Sequence, residues 1–331
     1  MSATVGATAP TLGAIQAPVR ERLEEVADEL RRIVTANLPL IADVNEHLLQ
    51  MRGKLFRPTL TLLASGVEGA PERRATTLGA IIELIHLATL VHDDSVDHSV
   101  LRRGMPTINS LFTHQVSVIM GDFLYSRALK ALVDDGEFEA MRVLSAASHL
   151  MTIGEMRQLL ALDALAFSEE DYYALIHAKT AALISAACEV GAMCGAVQHR
   201  AALARYGERL GMAFQVADDL LDYTADQATT GKPTGQDLKE HKVTLPLIRA
   251  LPRMSAAARQ RVDDLFATPE PDDAEIAEVI GIATEYGGLA YARRRGEEFA
   301  REAEEALAGL PESPCRSSLR EAITYVMSRR S

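Results

Sequence analysis

The residues best equipped for chemistry are six aspartates in two similar octets, Leu90-Val91-His92-Asp93-Asp94-Ser95-Val96-Asp97 and Gln215-Val216-Ala217-Asp218-Asp219-Leu220-Leu221-Asp222. Each octet places Asp at i, i+1 and i+4 and ends an otherwise apolar helical run. On a helix, i and i+4 share a face one turn apart. Asp93 with Asp97, and Asp218 with Asp222, therefore aim in common directions. Three like charges within five residues destabilise a helix and resist burial, so something cationic must compensate them. Carboxylate oxygens without His or Cys ligands select a hard cation, and so few ligands per helix suit Mg²⁺ shared with phosphate oxygens. A solvated charged turn is the plainer reading of one such cluster. Two clusters, both set against strongly apolar stretches, are where that reading fits least.

The basic residues gather around these motifs. Arg102-Arg103-Gly104 follows Asp97 after four residues, Gly53-Lys54-Leu55-Phe56-Arg57-Pro58 precedes a helix, Lys179-Thr180 sits mid-helix, and Gly231-Lys232-Pro233-Thr234 leads towards His241-Lys242. Guanidinium forks hold phosphate oxygens bidentately, and ammonium groups add point charge, so Arg and Lys beside Mg²⁺-binding carboxylates are the ingredients of a polyphosphate site. No Ser-His-Asp or Cys-His arrangement accompanies them.

The elements that must carry these residues are helices. Helical periodicity runs almost from end to end, strand-like alternation is scarce, and Ala, Leu, Arg and Glu dominate. Breakers at Pro39, residues 53–58, 69–71, 103–106, 134–136 and 269–273 separate roughly a dozen helical segments. The expectation is one large all-α domain over residues 20–331, preceded by a flexible, charge-free tail at 1–19. Residues 224–235, polar and containing Gly and Pro, are expected to form a mobile loop. At 331 residues and 48% hydrophobic, the chain can bury a sizeable core without disulfides. Its three cysteines show no metal-ligand spacing and read as packed thiols of a reduced compartment, which with the lack of a leader pattern predicts a cytoplasmic protein. The apolar windows 79–91 and 180–197 are interrupted by Glu83, His86 and Glu189, and read as buried helices rather than transmembrane segments. The net charge of 34 − 46 = −12 argues against nonspecific binding to nucleic acid.

With these strings in place, the sequence resembles the trans-type isoprenyl diphosphate synthases of the polyprenyl synthetase family. The strings are Gly53-Lys54-x-x-Arg57-Pro58, Glu83-x-x-His86, the first Asp cluster with Arg102-Arg103-Gly104-x-Pro106-Thr107, Gly121-Asp122, Lys179-Thr180, Phe214-Gln215 with the second cluster, and residues 231–242. The resemblance implies a helical bundle around a deep central cavity, of the isoprenoid synthase type, usually a homodimer. It implies that Asp93, Asp97 and Asp218 are the main Mg²⁺ ligands, for up to three ions, with Asp94, Asp219 and Asp222 in support. Arg102, Lys179, Lys232 and Lys242 would hold an allylic diphosphate primer, and Lys54, Arg57, His86 and Arg103 isopentenyl diphosphate. Thr180 and Gln215 would lie near the reacting carbons. One departure is Arg52-Gly53-Lys54-Leu55, where the family often has Gly-Gly-Lys-Arg; it touches only the shape of that loop.

In such enzymes the growing tail runs from the first Asp cluster back along its helix, where bulky aromatics stop elongation early. Here Ala88 and Thr89 are small, and Ile85 and Ile81 further back are aliphatic. Ile81 to Asp93 spans about 18 Å of helix axis. The expected product is a trans-polyprenyl diphosphate longer than fifteen carbons, with transient membrane contact for its release, unless Met120 or Phe123 on a neighbouring helix sets the floor. Alternatives are a geranylgeranyl or farnesyl diphosphate synthase, a terpene cyclase, a non-catalytic partner subunit of a heteromeric synthase, and a structural bundle. The second Asp-Asp-x-x-Asp argues against a cyclase, and the intact Asp and Arg positions argue against a non-catalytic subunit.

Overall fold

The computed structural model describes residues 9–50, 53–160, 164–224 and 234–328. The main helices are α1 (Arg20–Val34), α2 (Pro39–Gln50), α3 (Phe56–Ser65), α4 (Arg73–Val96), α5 (His114–Asp134), α6 (Phe138–Leu160), α7 (Glu169–Gly195), α8 (Arg200–Thr224), α9 (Leu245–Ala250), α10 (Ala256–Ala267), α11 (Asp273–Glu285), α12 (Gly288–Ala306) and α13 (Pro314–Met327). The strands are β1 (Leu101–Arg102) and β2 (Met105–Pro106), a two-residue antiparallel hairpin that follows the first Asp cluster. The expected all-helical architecture is the one observed.

The sequence explains which helices lie outside and which inside. On α1, Val26, Leu30, Ile33 and Val34 form one buried stripe, while the pairs Arg22–Glu25, Arg31–Asp28 and Arg32–Glu29 occupy the wet side. By contrast α4 is apolar nearly all round and is enclosed by α1, α3 and α5. The C-terminal half of α7 is likewise packed between α3, α6 and α8. Both α4 and α7 are long and apolar enough to cross a membrane, yet the apolar windows are 72% and 61% buried inside the protein.

Part of the expected tail is ordered. Thr11 caps a short helix, Leu12–Gln16, which continues as the 3-10 turn Ala17–Val19 and buries Ile15 and Val19 completely. Two apolar side chains at helical spacing suffice to dock it, and the absence of charge in residues 9–19 fits contact with the core. The expected loop at 224–235 falls mostly outside the described residues, as does Lys232.

One irregularity bears on the site. Helix α7 starts at a Ser168 capping box with Asp171 and widens to a π turn at His177–Ala181. Such single π turns recur at functional positions in helices. Two glycines let the neighbours close on it: a Cβ on Gly211 of α8 would lie 2.5 Å from Ala181 Cα, and one on Gly154 of α6 would lie 2.8 Å from Ala178 Cβ.

Candidate active site

Both Asp clusters end helices, α4 and α8. A helix C-terminus carries partial negative charge, so carboxylates there are doubly unfavourable without a positive partner. The fold answers this differently at each cluster.

At the first cluster the chain reverses through left-handed residues His98, Arg103 and Gly104. The reversal is pinned by Thr107 Oγ1 and Asn109 Nδ2 donating to the Ser99 carbonyl, and by His47 Nε2 against the Pro106 carbonyl at 2.8 Å. This returns Arg102 to Asp94. Its Nε lies 2.8 and 2.9 Å from the two carboxylate oxygens and its Nη2 2.7 Å from Oδ1. Asp94 is buried, Asp93 half-buried and Asp97 exposed. Burial, reinforced by Glu155 and Asp97 and opposed by Lys179 and Arg102, pushes the Asp93 carboxyl up to about 6. Behind this helix, Gly121 packs directly under the His92 ring, and His92 lies 3.3 Å from Asp122.

At the second cluster Asp219 is buried, and neutral donors take both its oxygens: Tyr172 OH at 2.6 Å and Gln215 Nε2 at 2.8 Å. Burial dominates despite these bonds and raises its carboxyl to about 7. Asp222 accepts the backbone N–H groups of Gln236 and Asp237 at 3.0 and 3.1 Å, so it closes the start of the helical turn Gln236–Lys239. Asp218 is exposed. Asp237, facing Asp219 and Asp222, is pushed by burial to about 8.

The basic residues divide into two groups. Lys179, in the π turn, donates to Glu155 Oε2 at 2.6 Å and Gln158 Oε1 at 2.8 Å. Burial opposes the charge on Lys242, but Glu240 at 2.6 Å, with Asp97 and Asp237 beyond it, holds its pKa above the usual range. Lys242 thus relates Asp97 of the first cluster to Asp237, the neighbour of Asp219 and Asp222. The second group is Arg57, Arg103, Glu83 and His86. Burial raises the Glu83 carboxyl against the pull of Arg57 and Arg103. It also drives His86 well below the ordinary histidine range, helped by those same arginines, so His86 is neutral at pH 7. The Arg57 Nε is buried and has no hydrogen-bond partner. Lys54 is exposed, 3.5 Å from Tyr325 OH, with its carbonyl held by Gln16. Thr180 Oγ1 donates to Gln215 Oε1 at 2.8 Å, which joins α7 to α8.

The structure therefore brings together Asp93, Asp97, Arg102, Lys179 and Lys242 in one neighbourhood, and Arg57, His86 and Arg103 in another. It turns Asp94 and Asp219 inward, towards protein partners. Glu155, Gln158 and Tyr172 are not among the residues the sequence singles out, and Asp237 stands there only as part of the string 231–242, with no role. Glu155 had no distinguishing signal, being one of several charged residues on a helix that also carries Glu139, Arg142 and Arg157. Tyr172 had none, since a tyrosine on a helix face is ordinarily core.

A family model described as polyprenyl synthetase matches residues 38–283. An all-trans-nonaprenyl-diphosphate synthase (geranyl-diphosphate specific) of Rhodobacter capsulatus is 38% identical over 307 residues, covering 92% of this chain and 94% of that protein. A short chain isoprenyl diphosphate synthase of Methanothermobacter thermautotrophicus is 35% identical, covering 94% of this chain and 98% of that one. Among solved structures, a polyprenyl synthase from Caulobacter crescentus complexed with calcium and isoprenyl diphosphate superposes with a TM-score of 0.90 at 33% identity, covering 98% of this chain and all of that one. The paired helix-end carboxylates and their ring of arginines and lysines thus have a family to match: the chain belongs to the polyprenyl synthetases and is a prenyl-transferring enzyme.

Proposed function

We propose that the chain condenses isopentenyl diphosphate with an allylic diphosphate to give a trans-polyprenyl diphosphate longer than fifteen carbons. The observation that carries this reading is Lys242, held positive by Asp97 of the first cluster and by Asp237, which itself faces Asp219 and Asp222 of the second, together with a buried Arg57 donor left unused. Asp93, Asp97 and Asp218 offer hard oxygen donors from two helices, a set that fits Mg²⁺; bound there, Mg²⁺ would supply charge to offset the departing pyrophosphate. Lys179, Lys242 and Arg102 add fixed positive charge on the same side. The Arg57 donor, with Arg103 and neutral His86, suits the second diphosphate. Ionisation breaks the allylic C–O bond, and the electron pair leaves with pyrophosphate. The isopentenyl double bond then attacks the allylic carbon, and the adduct loses a proton to the released pyrophosphate, which leaves an allylic diphosphate five carbons longer.

The length assignment rests on Ile85, Ala88 and Thr89, none of which places a ring beside the first cluster. It agrees with the nonaprenyl relative and not with the short-chain one. We propose a homodimer as well: Val118 and Ile119 on α5, with Leu150, Ile153 and Met156 on α6, leave an apolar face 38–64% exposed on adjoining helices. Sedimentation of Ile119→Glu/Ile153→Glu as a monomer supports it; an unchanged mass refutes it. The decisive assay incubates the pure protein with Mg²⁺, isopentenyl diphosphate and allylic primers of five to twenty carbons, then measures pyrophosphate and product length. No turnover with any primer would sink the condensation reading, and products that stop at fifteen carbons would sink the length assignment.

A further inference from the structure

A chain of three hydrogen bonds runs from the interior to Thr180, which with Gln215 lies near the reacting carbons on the condensation reading. Tyr172, 2% exposed, donates to Asp219 Oδ2; Gln215 Nε2 donates to Asp219 Oδ1; Thr180 Oγ1 donates to Gln215 Oε1. Its direction matters more than its length. Both Asp219 oxygens are taken up by donors, Tyr172 OH and Gln215 Nε2, so as bonded here Asp219 accepts and the Gln215 amide turns its nitrogen inward and its oxygen towards Thr180. Thr180 then spends its single proton on that oxygen. Towards the site, Gln215 Oε1 and Thr180 Oγ1 can offer only lone pairs.

An array of lone pairs suits a carbocation and is unfavourable to a diphosphate oxygen. With the amide reversed, its N–H groups would face the cation instead. The three members on α8 and the π turn cannot enforce the direction alone, because a buried carboxylate beside two further aspartates is easily satisfied in other ways. Tyr172 removes that freedom. Its phenol has one proton to donate, is locked by burial, and sits on α7 one turn before the π segment that carries Thr180.

We infer that Tyr172 is a positioning residue for prenyl transfer: through Asp219 it fixes the polarity of Gln215 and Thr180 so that both face the developing cation as acceptors. On this inference Asp219 serves the cation rather than the metal. It rests on the condensation reading above, and wild-type turnover in the same assay reports on that reading separately.

The test uses the full-length Mg²⁺-loaded enzyme and compares wild type, Tyr172→Phe, Asp219→Asn and the double variant. Turnover is measured at saturating diphosphates, alongside the affinity for inorganic pyrophosphate with Mg²⁺ by calorimetry. Each single variant is expected to lose about tenfold in kcat, the lower range for loss of a supporting residue. Pyrophosphate affinity should stay within about twofold of wild type, and the double variant should be no slower than the worse single one, as members of one chain are non-additive. Three results would overturn the inference: kcat of Tyr172→Phe within about twofold of wild type, pyrophosphate binding that weakens in step with kcat, or losses that multiply in the double variant. If Tyr172→Phe does not fold, Asp219→Asn decides alone. A slower enzyme with intact pyrophosphate binding upholds the inference, whereas unchanged kcat or weakened pyrophosphate binding refutes it.

Discussion

The first Asp cluster gives its inner carboxylate to a guanidinium, Arg102, whereas the second gives its own to a phenol and an amide, Tyr172 and Gln215. The same i, i+1, i+4 spacing on two helix ends thus meets two neighbourhoods. Around Asp94 the compensation is ionic and arrives from a hairpin that stays near the surface. Around Asp219 it is neutral and arrives from a buried helix, so burial governs and the carboxyl rises to about 7. The residues one turn earlier differ as well. Ala88 and Thr89 precede Asp93, while Ala213 and Phe214 precede Asp218, and Phe214 stacks on Phe56 with ring centroids 6.1 Å apart. An aromatic wall backs one cluster, and small side chains back the other.

The comparison breaks first at the outer aspartates. Asp93→Ala and Asp218→Ala should each cost about a thousandfold or more in turnover, comparable to losing a main electrostatic group of an active site. Both variants should keep the wild-type circular dichroism, because each removes an unfavourable charge instead of stranding one. Activity that survives either change would show that the clusters are not equivalent.

The inner aspartates come next. Arg102→Leu strands a buried carboxylate, and about 2–3 kcal/mol of stability should be lost in urea denaturation, below the usual cost of breaking a fully buried pair because Arg102 is 30% exposed. Tyr172→Phe removes a bond from an uncharged donor to the buried Asp219 carboxyl and should cost about 1–2 kcal/mol. Equal losses would erase the ionic-versus-neutral distinction.

A third prediction concerns pH in the metal-free protein. The carboxyls of Asp93 and Asp219, at about 6 and about 7, lie above an unfolded aspartate at about 3.9. Between those values the folded chain holds more protons than the unfolded one, so this contribution to stability is full below pH about 4 and is lost as pH rises through about 6 to 7. The melting temperature should be higher at pH 5.5 than at pH 8, and Asp219→Asn should flatten the slope. A melting temperature that climbs with pH, with no flattening in Asp219→Asn, would remove the burial argument.

The subtlest change is Ala88→Phe, which adds a ring about one turn before Asp93, next to Thr89, the position that matches Phe214 of the second cluster. Because Ala88 is fully buried, the variant also carries an overpacking penalty. Shorter products with the first condensation little slowed are expected by chromatography of the products; an unchanged length would move the floor to another helix.

Periodicity, breakers and charge placement made the helical class, both clusters and the surrounding basic residues legible, because those signals are local: they depend on spacing within one or two turns. The helical segment Leu12–Val19 is not legible in the sequence, because two buried apolar residues in a neutral stretch look no different from a loose tail. Glu155 and Tyr172 lie 24 and 47 positions from the partners that give them meaning, Lys179 and Asp219. No spacing rule links them, and only packing of α6, α7 and α8 brings them into contact. The sequence by itself determined which residues carry charge and which helix faces they share, since chemistry and the 3.6-residue repeat are written in it. Only the tertiary structure decided which carboxylates turn outward and which inward, because that choice depends on where a guanidinium or a phenol from a distant segment comes to rest.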